Sequence, residues 1–232
     1  MSSDEAEAGT LHARPGAVPA DSPWPLPPGL HPLGLGQPRD GQLRVPPGPG
    51  QGALPLVVML HGATGNWERA LKRLGPIADH ALVVLPDSLG QSWDVLEGGY
   101  GPDIQRIDAA LARVLAAWPI DASRCAVAGF SDGASYAFSL ALMNGGLFTH
   151  CLAFSPGFAA PLKVEGRPAF FVSHGTADEI LPIDNCSRRL VPKLARAGHR
   201  HQYLEFPGRH EVPPEVHAAA LAFLLGQDAA EG

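Results

Sequence analysis

From about residue 54 onward, short apolar runs alternate with longer stretches of helical periodicity. The runs at 54–60, 81–85, 124–128, 150–154, 169–173 and 202–206 are bounded by Gly, Pro or Asp, and several are apolar almost throughout. Strands covered on both faces need that composition, because neither face meets water. Between two of them, Ile104, Ile107, Leu111, Val114, Leu115 and Trp118 fall on one stripe at 3.6-residue spacing, which predicts an amphipathic helix. The order strand, helix, strand, helix predicts an α/β fold with a mostly parallel central sheet and helices on both faces. Ligands of such sheets sit outside the carboxyl ends of the strands, so the residues just after each run are where chemistry is expected.

The first 50 residues read differently. They hold eleven of the 24 prolines and eight glycines, a composition that neither sustains a helix nor pairs as a central strand. Residues 1–38 are expected to form a loose arm, residues 39–227 the α/β domain and residues 228–232 a tail. Gln42-Leu43-Arg44-Val45 alternates polar with apolar and ends at Pro46-Pro47, which suits a short edge strand.

Composition narrows the function classes. At a net charge of −6 there is no basic surplus to hold a phosphate backbone, so no nucleic-acid partner is expected. Three cysteines without C-x-x-C spacing argue against a disulfide framework or a zinc ribbon. No apolar run reaches the roughly 18 residues of a membrane helix, and the acidic start Asp4-Glu5-Ala6-Glu7 does not resemble a secretory leader. The expectation is a cytoplasmic protein, not integral to a membrane.

After the run ending at Ala128 comes Gly129-Phe130-Ser131-Asp132-Gly133, followed by an apolar segment from Ala134 to Met143 that reads as a buried helix. Strand, G-x-S-x-G, helix is the context in which a serine is presented on a strained turn as a nucleophile. The plainer alternative is a helix N-cap serine flanked by turn glycines. A serine nucleophile needs a base, and the base an orienting acid, in the order Ser, Asp or Glu, His for this arrangement. Asp178 follows the strand ending at Ser173, and His210 follows the one ending at Phe206. Glu179 and Asp184 remain alternatives for the acid; His199, His201 and His217 compete as the base, but none lies on a loop after a strand. The oxyanion donors would be the amides of Asp132 and of Ala63, in the loop after residues 55–60. His61 is read as pinning that loop. A metal site built from His61, His174, Asp178 and His210 lacks ligand spacing, so neither metal nor other cofactor is expected.

The set L-H-G-A-T-G-N, L-P-D-S, W-D, G-P-D-I, G-F-S-D-G-A-S-Y, F-S-P-G-F, H-G-T-A-D and C-S-R-R-L-V-P resembles the phospholipase/carboxylesterase group of α/β-hydrolases, near the dienelactone-hydrolase-like enzymes, over residues 40–226. The resemblance implies Ser131, Asp178 and His210 as a triad, with Ala63 and Asp132 as oxyanion donors. Two features depart from it: many relatives carry G-G-H where this chain has Gly208-Arg209-His210, and the Pro-rich arm has no counterpart.

Too few residues separate Ser155 from Arg167 for an inserted cap domain, which predicts an open site walled by loops. Trp67, Trp93, Tyr100 and Phe158 are the expected walls, the last three as substrate-binding residues, while Asp103 is read as a cap-region charge and Asp108 as a solvated one. The expected activity is a serine esterase acting on short- to medium-chain small-molecule esters. A thioesterase or lysophospholipase would use the same residues, and a catalytically silent α/β-hydrolase serving as a binding module is the alternative of another class.

Overall fold

The computed structural model describes residues 1–36 and 38–227; the expected tail, 228–232, lies outside the described residues. Eight strands form one sheet: β1 (Gly29–Pro32), β2 (Gln42–Val45), β3 (Leu54–Leu60), β4 (Leu82–Leu85), β5 (Ile120–Phe130), β6 (His150–Phe154), β7 (Ala169–Gly175) and β8 (His201–Phe206). Their order across the sheet is β1-β2-β4-β3-β5-β6-β7-β8. β1 and β2 run antiparallel to their neighbours, and every pair from β4 to β8 is parallel.

Side chains alternate across each buried strand. Leu56, Val58 and Leu60 of β3 join the core on one face, with Cys125 and Val127 of β5 and Phe170 and Val172 of β7. Val57, Met59, Ala126, Ala128 and Phe171 join the core on the other. Helices α3 (Pro102–Ala117), α4 (Asp132–Met143) and α5 (Ser187–Arg196) cover the first face; α2 (Trp67–Leu74) and α6 (Pro214–Leu225) cover the second. The six stripe residues expected on α3 are all buried. From Gly133 to Met143, α4 is buried on every side, which explains its lack of a polar face.

The amino-terminal stretch is not loose. A short helix α1 (Ser3–Glu7) contacts α3, and Ala6, Leu11 and Ala13 are buried in the first core. The amides of His12 and Ala13 donate to Asp108 Oδ1 at 2.7 and 2.9 Å. Asn144 accepts from the Leu11 amide at 2.8 Å and donates to the Gly9 carbonyl at 2.9 Å. Asp108, expected on a solvated face, is therefore buried as an anchor. Proline excludes regular structure but not packing, and polar side chains here satisfy the backbone that helices and strands do not. β1, drawn from the same stretch, takes the sheet edge, so β2 lies one strand inside it. Residues 155–168, between β6 and β7, contain no helix, and no cap domain is present among the described residues.

Candidate active site

The turn after β5 sets the centre of the site. Ser131 has φ 58° and ψ −122°, a sparsely populated conformation for a side chain-bearing residue, held because the surroundings over-determine it. Its amide donates to the Phe154 carbonyl at 3.0 Å, and its carbonyl accepts from Ala134 and Ser135 at 2.9 and 3.1 Å. The flanking glycines are sterically required. A Cβ on Gly129 would stand 2.1 Å from the Gly133 carbonyl oxygen, and one on Gly133 2.3 Å from that of Leu60. Ser131 makes no side-chain bond that caps α4, so its hydroxyl is not committed to the plainer role of helix cap.

β3 and β5 pair with Leu60 opposite Gly129, which brings the loop after β3 beside the serine: a Cβ on Gly62 would lie 3.2 Å from Ser131 Cβ. Among the described residues, the Ala63 and Asp132 amides have no hydrogen-bond acceptor. Two free amides flanking one hydroxyl suit a developing oxyanion. His61 holds the loop: Nε2 accepts from the Ser88 amide at 3.0 Å, so Nδ1 carries the proton and donates to the Gly62 carbonyl at 2.8 Å. Burial lowers the pKa of this imidazole, in keeping with a neutral ring. The carboxylate of Asp132 is held aside by the Ser92 hydroxyl at 2.8 Å.

His210 and Asp178 meet at the ends of β8 and β7. Nδ1 of His210 is 2.6 Å from Asp178 Oδ2; because a carboxylate only accepts, Nδ1 donates and Nε2 keeps its lone pair. Oδ1 of Asp178 accepts from the Ile180 and Leu181 amides, each at 2.9 Å. Burial alone would raise this acid's pKa, but the Leu181 amide, His210 and the Ile180 amide together bring it below the usual carboxylate range. The loops come this close because Gly175 has no side chain; a Cβ there would sit 2.2 Å from the Arg209 carbonyl oxygen. Arg209 itself is exposed. The alternative acids Glu179 and Asp184 are exposed too, and Asp184 pairs with Arg188 at 2.8 Å. His199, His201 and His217 each bond a backbone carbonyl, of Pro168, His199 and Arg73 respectively.

Ser131 and His210 line one open cavity of about 290 Å³, together with Gly62 and Ala63. The model of the Esterase family matches residues 34–171. The chain belongs to that family. It is a hydrolase of carboxylic esters, with small-molecule esters as substrates. The matched segment includes Ala63, Ser131 and Asp132 and ends before Asp178 and His210, so the latter pair stands on geometry. No curated protein sequence matches this esterase. Among solved structures it is similar to esterase PE8 (23% identical, covering 80% of this chain and 97% of that one, TM-score 0.66). The carboxylesterase of Bacillus cereus is 18% identical over 75% of this chain and 89% of its own, with a TM-score of 0.60. A phospholipase/carboxylesterase of Dyadobacter fermentans is 22% identical, covering 90% of this chain and all of its own, with a TM-score of 0.57. These likenesses establish the α/β-hydrolase fold. No helix among the described residues is long and apolar enough to cross a membrane.

The esterase's cavity walls are not those expected. Trp93 is 0% exposed, stacked on Tyr136 at 5.2 Å between ring centroids, with Nε1 donating to the His61 carbonyl at 2.8 Å. It supports the loop after β3 from behind. Tyr100 donates to the Ala160 carbonyl at 2.8 Å and lines a separate cavity. The Phe158 amide, like that of Gly157, is tied to Ser135 Oγ, and neither Phe158 nor Trp67 lines the serine cavity. The walls are instead Arg69, Ala70 and Arg73 of α2, with Phe130 and Ile180. Arg69 and Arg73 are four residues apart and share a helix face, a signal visible in the sequence once α2 is placed directly after the oxyanion loop. His174 was also missed as a neighbour of the acid: fully buried, it donates from Nε2 to the Leu181 carbonyl at 2.7 Å, lies 3.3 Å from Asp178 Oδ2, and accepts from Ser187 at Nδ1.

Proposed function

We propose that the chain is a serine esterase that works through an acyl-enzyme on short- to medium-chain esters. The observation that carries this reading is the convergence on one cavity of a strained, uncapped serine and a histidine whose Nδ1 is held at 2.6 Å by a buried carboxylate. His210 Nε2 takes the proton of Ser131 as its Oγ attacks the ester carbonyl. The Ala63 and Asp132 amides receive the oxyanion, and the tetrahedral intermediate collapses with protonation of the departing alcohol by His210. Water, deprotonated by the same imidazole, then releases the acid and restores the serine. Asp178 keeps the ring in the productive tautomer and offsets its positive charge in both steps. No metal or other cofactor takes part.

The cavity's modest volume of about 290 Å³ favours small acyl groups, since each methylene contributes on the order of 0.8 kcal/mol only while apolar wall covers it. A fluorescent fluorophosphonate should label wild-type protein at Ser131 and leave Ser131→Ala unlabelled. With p-nitrophenyl esters from acetate to palmitate, kcat/KM should peak at roughly two to six acyl carbons. Labelling elsewhere, or a palmitate ester preferred below its aggregation threshold, would refute the respective half of the proposal.

A further inference from the structure

Among the described residues, the serine cavity holds two arginines and no acid. Arg69 and Arg73 line it, and none of its lining residues is Asp or Glu. Arg73 is partly buried, with its guanidinium 4.1 Å from the centroid of the Phe130 ring; that ring in turn lies 4.6 Å from the imidazole of His210. Neither guanidinium is in an ion pair among the described residues, and Glu211 acts on Arg73 only from a distance. Among the described residues Arg69 reaches only the Thr64 carbonyl, at 3.5 Å. On a chain with a net charge of −6, two unpaired arginines on one helix face beside the nucleophile are not explained by the fold. A partly desolvated guanidinium without an anionic partner is costly, and its fork of donors matches a carboxylate.

Resting on the serine reading above, we infer that the preferred substrates are small esters bearing a carboxylate, which Arg69 and Arg73 hold while the ester carbonyl faces Ser131. The anion belongs within a few bonds of the scissile carbonyl, because the arginines and the serine share one cavity of about 290 Å³. It sits on the acyl part or on the alcohol part of the ester, and two pairs of substrates separate these sources. Monoethyl glutarate against ethyl valerate probes the acyl side; acetoxyacetate against propyl acetate probes the alcohol side. The charge does not assist the chemistry itself. It binds the substrate and fixes its direction, so its effect falls on kcat/KM.

Acid release in a pH-stat at low salt gives kcat/KM for each ester, normalised to its hydroxide-catalysed rate. In at least one pair the anionic ester should be favoured more than tenfold over the neutral one. That ratio should fall at least tenfold in Arg69→Gln/Arg73→Gln, with Arg69→Lys/Arg73→Lys restoring part of it, and it should shrink as salt is raised. Ratios at or below one in both pairs, or a ratio the Gln variant leaves within twofold, overturn the inference. Circular dichroism confirms that each variant is folded. Loss of neutral-ester turnover in Ser131→Ala tests the nucleophile independently: turnover that survives there overturns the serine reading, whereas the ratios judge the arginines alone.

Discussion

Asp178 and His210, 32 positions apart in the chain, are joined by a 2.6 Å contact between Oδ2 and Nδ1. The other carboxylate oxygen is fixed by two amides of its own loop, so the acid cannot turn away from the ring. Asp178→Asn presents an amide in place of one acceptor and invites the wrong imidazole tautomer. It should lower kcat for p-nitrophenyl acetate by on the order of 10⁴-fold with little change in KM. Asp184→Asn, on the exposed alternative, should stay within twofold of wild type. The reverse ranking would reassign the acid.

Ser131, the proposed nucleophile, sits on an unfavourable backbone. Ser131→Ala should abolish turnover while leaving stability within about 0.5 kcal/mol of wild type, because the hydroxyl makes no cap. Ser131→Gly should be equally inactive yet more stable than Ser131→Ala by about 1 kcal/mol, since glycine accepts φ 58° without strain. Urea titrations of the two variants give the comparison, and an alanine form as stable as the glycine form would mean that the turn stores no strain.

Gly175 is the point at which the β7 and β8 loops touch. Gly175→Ala places a methyl 2.2 Å from the Arg209 carbonyl, so the loop carrying His210 must move. The expected loss is about 1–3 kcal/mol of stability and roughly 10²-fold in kcat from displacement of His210. Denaturant midpoints and p-nitrophenyl acetate kinetics measure the two; unchanged kinetics would show that the loop yields without carrying the histidine.

Asp103 gives the esterase a pH-dependent stability. Burial, reinforced by the charge of Asp94 and partly offset by the Leu89 amide, pushes its pKa from 3.8 up to about 6. A raised carboxyl pKa means that the native state holds its proton while the unfolded chain has already lost it. Stability therefore declines as pH rises from about 4 to about 6 and levels off above, by on the order of 3 kcal/mol from this group. Asp103→Asn gives up one of the two amide bonds to Leu89 and Asp94 but cannot titrate. Its penalty relative to wild type should be largest near pH 4 and smaller at pH 8, as read from urea unfolding at each pH. A penalty that grows toward pH 8 would reverse the assigned sign.

What the sequence revealed follows from what kind of signal each feature leaves. The strands after residue 54 and the places of Ser131, Asp178 and His210 were legible because each lies at a boundary between an apolar run and a turn, a contrast that survives in one dimension. The cavity walls were not. Trp93 looked like a loop aromatic, and only the partners it meets in space, Tyr136 and the His61 carbonyl, turn it inward. Arg69 and Arg73 went unremarked, because only the register of β3 against β5 sets α2 beside the serine. The first 38 residues read as loose because a few separated anchors, Leu11 and Ala13 among them, leave no period.

The bond from the Leu11 amide to Asn144 spans 133 positions. At roughly 5–20 residues per second of synthesis, about 7 to 27 s pass between the emergence of the two ends. Until α3 and α4 follow it, the segment around Leu11 and Ala13 lacks Asp108 and Asn144, the side chains that hold it. An early-made part of the described chain thus waits for partners made much later, as one half of a clasp waits for the other.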